Sequence, residues 1–344
     1  MNYLEKLLYA HSVSGFESEV ADVFLTEMRE FTEEAGRDVL GNAYATLEGK
    51  APGKHFMLEA HMDEIGFQVL YIGDNGYLHV RRNGGIDDLC VPGSRVVVIT
   101  ASGKKIPGVI GKKPIHLIPP PEREKAIDLA SMWVDTGLES FEVRNQISVG
   151  DVVSFVPNML SLGDCRVSSK GLDDKIGVYV ISQALRKLAE EGGLENGKVS
   201  AVASVQEEVG CRGAAVMAGR LDPDVIFCID VDFATDVPDC PKQKYGDVSL
   251  GKGVVLHRHL NTDIALSREV EAIAAEKGIP VQVSARERSS GGTNAEKMQL
   301  VGGGKKLISL GIPCRYMHTP VEMIDLRDVN AAVELICTFI KSVY

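Results

Sequence analysis

The sequence predicts an α/β protein: a mixed, largely parallel sheet flanked by helices, interrupted by a small β-barrel or β-sandwich. Three observations predict it. Strand-like and helix-like segments alternate in residues 1–67 and again from residue 165 onward, the pattern of an α/β sheet. Residues 68–164 read differently, as short Val/Ile runs parted by Gly, Asp and Asn turns. The chain has 344 residues, enough to bury both units.

Taken in order, "EVADVFLTEMREF" has helical apolar spacing, and "NAYATLEG" and "HFMLEA" read as strands. The β-rich stretch holds "FQVLYIGDNGYLHV", "SRVVVIT", "GKKIPGVIG" and "GDVVSF", with "IPPPEREKA" as a proline-marked loop. Then come the long helix "DDKIGVYVISQALRKLAEE" and the strands "KVSAVASV" and "DVIFCID". A helix near "SREVEAIAAEKG", the strand "PVQVSA", a strand at "GIPCRYMH" and the helix "DVNAAVELICTFIKSV" complete the chain. The simplest organisation is a discontinuous α/β domain, 1–67 and 165–344, with residues 68–164 inserted.

Composition removes several function classes. Apolar content is 44% and charged content 25%, ordinary for a globular chain. The formal charge is −11, and no run of Lys and Arg offers a track for nucleic acid or an anionic membrane. No apolar stretch approaches the length of a membrane span, and "MNYLEKLLYAHSVSGFESEV" lacks the layout of a signal peptide. Seven cysteines, an odd number without a C-x-x-C pair, suit reduced thiols in a cytoplasm.

The segment "SVQEEVG" is the first pointer to chemistry. Glu207 and Glu208 are adjacent where an apolar strand stops, and ionised carboxylates are costly in a core unless paired or bound to metal. Ligands of open α/β sheets bind beyond the carboxyl ends of the strands. Metal-capable residues follow the other predicted strands as well: His61 and Asp63, Asp230 and Asp232, and His318. Asp173 and Asp174 open the long helix on the same rim. Two histidines with several carboxylates suit zinc, cobalt or manganese, in number enough for two ions sharing a carboxylate. A strand ending at Gln206 would free both glutamates, with Glu208 binding metal and Glu207 acting as general base on a metal-activated water. Asp63, on the same strand face as His61, would accept the hydrogen bond of its second ring nitrogen.

Each residue has a plainer reading: a solvated strand exit for the glutamates, a core histidine for His61, helix capping for Asp173 and Asp174. Their coincidence at several strand ends outweighs it for the glutamates and His61, while Asp173 and Asp174, read from the residues alone, keep the helix-start reading. Asp232 and Asp236 line the rim without binding metal. His257 and His259 have no nearby carboxylate in sequence and read as structural or near the substrate. "GGLENGKV" nearly matches a phosphate loop but has Val199 for the hydroxyl and lies between helix and strand, the wrong order. No G-x-S-x-G elbow is present.

Five segments, "EAHMDEIGF", "SSKGLDDKIG", "SVQEEVGCRGA", "IDVDFATDVPD" and "CRYMHTPVEMIDLRDV", together resemble the tetrahedral-aminopeptidase family of cytoplasmic metallopeptidases. That family includes glutamyl and deblocking aminopeptidases, and some members are labelled endoglucanase-like. The resemblance implies a zinc-exopeptidase-like sheet and two divalent ions per chain, zinc or cobalt first and manganese next. It implies His61 and Asp230 on one ion, Glu208 and His318 on the other, Asp173 bridging, Glu207 as base and Asp63 orienting His61. It further implies short peptide substrates and oligomer contacts through the insertion, from a dimer up to a dodecamer. One departure is "GGTNA", where Asn294 replaces the family's usual Asp and puts recognition of the substrate end in question. "LVGGGKKLIS" also departs from the usual pattern. The expected activity is removal of N-terminal residues. Another two-metal amide hydrolase such as a deacylase, a glycoside hydrolase and a silent oligomeric scaffold are the rivals. In a glycoside hydrolase the histidines would be idle, and a single Trp leaves little surface for sugar stacking.

Overall fold

The computed structural model describes residues 1–123, 128–285 and 292–343. Eight strands form the main sheet, in the order Ala35–Arg37, Ala43–Glu48, Asn196–Ser204, Ala51–His61, Val225–Phe233, Lys306–Cys314, Val254–His257, Val281–Ser284. The four in the middle run parallel to one another, and antiparallel pairs occur toward the edges. The apolar runs that wrote these middle strands are continuous rather than alternating because both faces are covered. Helices Leu172–Glu190 and Leu326–Ser342 pack on one face, where Phe339 meets the edges of Phe56 and Phe227. Helix Gly213–Leu221 and the short helix Ala295–Met298 cover the other, over Met57, Val202 and Ile226.

The β-rich segment is a closed six-stranded barrel, which decides between the barrel and the sandwich. Its strands follow the order Gly66–Ile72, Leu78–Asn83, Met132–Asp135, Lys105–Lys112, Arg95–Ile99, Val152–Phe155, every neighbouring pair antiparallel. It has its own core, in which Phe67 and Phe155 stack edge to face. Leu160–Leu162 belongs elsewhere, in a three-stranded sheet with Arg166–Ser169 and Glu322–Asp325. In the proline-marked loop a 3-10 turn forms at Pro120–Glu122, and residues 124–126 lie outside the described residues.

A buried ion triad joins these parts. Glu64, just past the strand Ala51–His61, receives Lys170 Nζ at 2.6 and 2.8 Å and lies 3.0 Å from Lys175 Nζ. It also accepts the Ser12 N–H and the Ser154 hydroxyl, from the N-terminal segment and the last barrel strand. Burial alone would push this carboxyl up, but the two lysines hold it down to about 2. Burial lowers Lys175 to about 7 against the pull of Glu64, and Lys170 beside it adds to the drop.

Removing Glu64 leaves the buried Lys170 and Lys175 without their counter-charge. Glu64→Gln is expected to cost about 3–5 kcal/mol in urea unfolding at neutral pH. A carboxyl depressed in the folded state stabilises in full above its ordinary value near 4.5, and that contribution fades as pH falls toward about 2. The gap between wild type and variant should therefore close over that range. A variant within about 1 kcal/mol of wild type at pH 7 would show that the triad does not hold the parts together.

Candidate metal centre

His61 is the last residue of its strand, and Ser204 pairs with it in register, so the ends of two parallel strands meet. The His61 Nε2 faces Asp173 Oδ1 at 3.1 Å and Asp230 Oδ1 at 3.7 Å. Its Nδ1 donates to the Asp63 backbone carbonyl at 3.0 Å, while the Asp63 carboxylate stands farther off, at 3.4 Å. Both Asp63 groups thus face that nitrogen, the carbonyl nearer than the carboxylate expected to orient the ring. The strand stops at His61, so two-residue alternation does not reach Asp63, and a carbonyl fixes the tautomer that leaves Nε2 free to bind metal.

The Asp63 carboxylate has other work. It accepts the backbone N–H of Glu207 at 2.9 Å, that of Glu208 at 3.2 Å and the Ser14 hydroxyl at 2.6 Å. The strand leading to the glutamates ends at Ser204, two residues before the expected Gln206. Asn42 Oδ1 takes the Val205 N–H, and Gln206 sits in the left-handed region at φ 60°, where the chain turns off the sheet. Both glutamates therefore lie on a turn held from below by Asp63. Glu208 Oε1 is 3.4 Å from His318 Nε2.

Asp173 stands between the two histidines. Its second oxygen, Oδ2, is 3.2 Å from His318 Nε2. Both Asp173 and Asp174 are non-helical, so the regular helix starts after them. Asp174 Oδ1 accepts the Gly177 N–H at 3.0 Å, the expected helix-start role. Its Oδ2, though, is buried without a hydrogen-bond partner among the described residues, and Asp174 lies with His61 and Asp230 in a group whose ligand atoms fall within 4.8 Å. A second such group is His61, Asp173 and Glu208.

Two contributors escape a reading by sequence. Buried Glu322 accepts the Asp173 N–H through Oε2 and the His318 N–H through Oε1, each at 3.0 Å. Its signal was only its place four residues after His318. The second is the barrel: His318 Nδ1 donates to the Gly85 carbonyl at 2.5 Å. A Cβ on Gly85 would come within 3.1 Å of that nitrogen, and one on Gly84, at φ 93°, within 3.3 Å of Glu208. The paired glycines of "NGGIDD" let a barrel loop press its backbone onto the site.

His257 and His259 stack edge to face across the same cavity, and His257 Nε2 is 3.5 Å from Asp232 Oδ2, so a carboxylate does accompany them. Asp236 lies apart from the cluster and binds Arg315. Asn294 is buried and donates to Glu59 Oε1 at 2.7 Å and Ser204 Oγ at 3.0 Å. It bonds to the strands that carry the site. Gly291 of "GGTNA" lies outside the described residues.

The cavity measures about 810 Å³, and no Lys or Arg lines it among the described residues. Around His61 and His318 cluster five carboxylates, Asp173, Asp174, Glu207, Glu208 and Asp230, while His257 and His259 stand with Asp232 in another part of the cavity. Burial pushes Glu208 well up, and Asp173 adds to it. Burial does the same to Asp230, with Asp173 and Glu207 adding and His61 opposing, and to Asp174, with Asp230 adding. Asp173 is the exception: despite its burial, His318 and His61 hold it low. Burial would lower His318, but Asp173 and Glu208 raise it to about 10. Oxygen and imidazole donors in this excess, one buried oxygen without a hydrogen bond among the described residues, fit divalent cations.

Comparison with known proteins agrees with this chemistry. Residues 41–335 match the model of the M42 glutamyl aminopeptidase family. A lysyl aminopeptidase of Pyrococcus furiosus is 34% identical, covering 96% of this chain and 94% of that protein. An aminopeptidase structure from Desulfurococcus kamchatkensis superposes with TM-score 0.91 at 34% identity, over 99% of this chain and 94% of the other. A TET1 peptidase of Pyrococcus horikoshii, which can assemble into a tetrahedron or a large octahedral shell, superposes with TM-score 0.86 at 33% identity, covering 98% of each chain. The chain belongs to the M42 glutamyl aminopeptidase family and is a metal-dependent aminopeptidase.

Proposed function

We propose that the cavity is a two-ion centre that removes N-terminal residues from short peptides. The observation that carries this is Asp173, one carboxylate facing a histidine with each oxygen, in a cavity crowded with acids that no Lys or Arg lines among the described residues. His61 and Asp230 would hold one ion, Glu208 and His318 the other, and Asp173 both. Zinc or cobalt suits these donors best, manganese next. Bound there, divalent ions would polarise the scissile carbonyl and lower the pKa of a water to about 7.

The chain's own residues do the rest. Glu207, in the cavity wall and outside the proposed ligand set, takes the proton of the attacking water and returns it to the leaving amine. Asp63 holds the backbone of both glutamates, so base and ligand move as one piece. Glu322 ties Asp173 to His318, and the Gly85 carbonyl sets the His318 tautomer. The acidic wall attracts the free ammonium of a peptide, which favours an exopeptidase acting at the amino end. The barrel supplies subunit contacts in an assembly from a dimer up to a dodecamer; that the Pyrococcus horikoshii relative can assemble into a tetrahedron or a large octahedral shell supports self-association. Among the described residues no helix is long and apolar enough to cross a membrane. All seven cysteines are free thiols, which supports a cytoplasmic location.

Aminoacyl p-nitroanilides, with N-acetylated controls and chelator, test the reading. Chelator-sensitive cleavage of the free-amine set alone is expected. Cleavage of the acetylated set instead would make the protein a deacylase. Glu207→Gln should keep its ions and lose about 10²–10⁴-fold in kcat; full activity would remove Glu207 as base. Asp173→Ala should fail to hold two ions in elemental analysis after gel filtration, and two retained ions would remove the bridge. Glu322→Gln replaces one acceptor with a donor, so zinc affinity by calorimetry should fall about 10–100-fold. Unchanged affinity would confine Glu322 to folding.

A further inference from the structure

Glu207 carries its carboxylate on a turn, and a general base must be aimed as well as placed. Among the described residues the hydrogen bond to that carboxylate comes from Cys211, whose Sγ lies 3.3 Å from Glu207 Oε1. The geometry of the turn makes this contact. The Gly210 and Cys211 N–H groups both bond back to the Glu207 carbonyl, at 2.9 and 2.8 Å. Cys211 itself sits in the left-handed region at φ 55°, uncommon for a residue with a side chain. Such conformations persist only where surrounding contacts impose them, and here they turn the thiol toward the carboxylate. Both side chains line the cavity.

We propose that Cys211 is a positioning residue for Glu207: its S–H holds Oε1 and leaves Oε2 to take and return the proton. The inference rests on Glu207 being the base. A thiol suits the task because it is a weak donor. It orients the carboxylate without competing strongly for the lone pairs that the reaction uses. A hydroxyl keeps a donor there, and a methyl group does not.

The test combines kinetics on the metal-loaded enzyme with infrared spectroscopy of the metal-free protein. Cys211→Ala is expected to lower kcat about tenfold while KM stays within about twofold, the mark of an interaction needed in the transition state. Cys211→Ser should recover most of the loss, because the donor returns. In the infrared, the wild-type minus Cys211→Ala difference isolates one S–H stretch, which should lie at the lower frequency of a hydrogen-bonded thiol. Glu207→Ala should move it to the free-thiol position. A free-thiol band in wild type would overturn the proposal. So would an unchanged kcat in Cys211→Ala, or a loss that serine fails to recover. The spectrum stands apart from the functional reading: were Glu207→Gln fully active, the base assignment would fail while the S–H band still reported the contact.

Discussion

The constraint on which the site depends is electrostatic. Asp173, Asp174, Glu207, Glu208 and Asp230 are gathered around the imidazoles of His61 and His318, with no lysine or arginine among the described lining residues. Glu64, one residue past Asp63, shows how this fold neutralises a buried acid by itself: it places Lys170 and Lys175 against the carboxylate. A few residues away it does the opposite. The acids are left to repel one another, and burial pushes most of them up. Such an arrangement is costly for a chain alone and favourable around divalent cations, which is the sense in which the site is built for something the polypeptide does not supply.

The scaffold delivers these groups through backbone control. Parallel strands bring His61, the glutamate turn and Asp230 to one rim. Two acids outside the proposed ligand set then fix the segments that strand geometry leaves loose. Asp63 spans the N–H groups of Glu207 and Glu208, and Glu322 spans those of Asp173 and His318. The barrel adds the Gly85 carbonyl against His318. The inserted unit is therefore part of the site's geometry, and changes in how it sits would be felt at one of the two histidines.

How much of this could be read from the chain follows from which interactions are local. The parallel sheet was legible because its middle strands are continuous apolar runs, and the β-rich texture of residues 68–164 was legible because its turns recur in sequence. The residues of the cluster were legible because open sheets expose their strand ends. What sequence missed is carried by contacts between distant segments. Glu322 reaches Asp173 across 149 positions and Gly85 reaches His318 across 233, and no periodicity encodes either. The strand ends at His61, so Asp63 faces the ring from beyond the strand, and Asn294 bonds inward to Glu59 for a reason no linear pattern states.

The most direct test is anomalous diffraction from crystals grown with zinc, recorded at the metal's absorption edge. The electrostatic account predicts two peaks flanking the Asp173 carboxylate, one toward His61 and Asp230, the other toward His318 and Glu208. A cluster that holds no ion at saturating zinc, or zinc bound only elsewhere on the molecule, would contradict it.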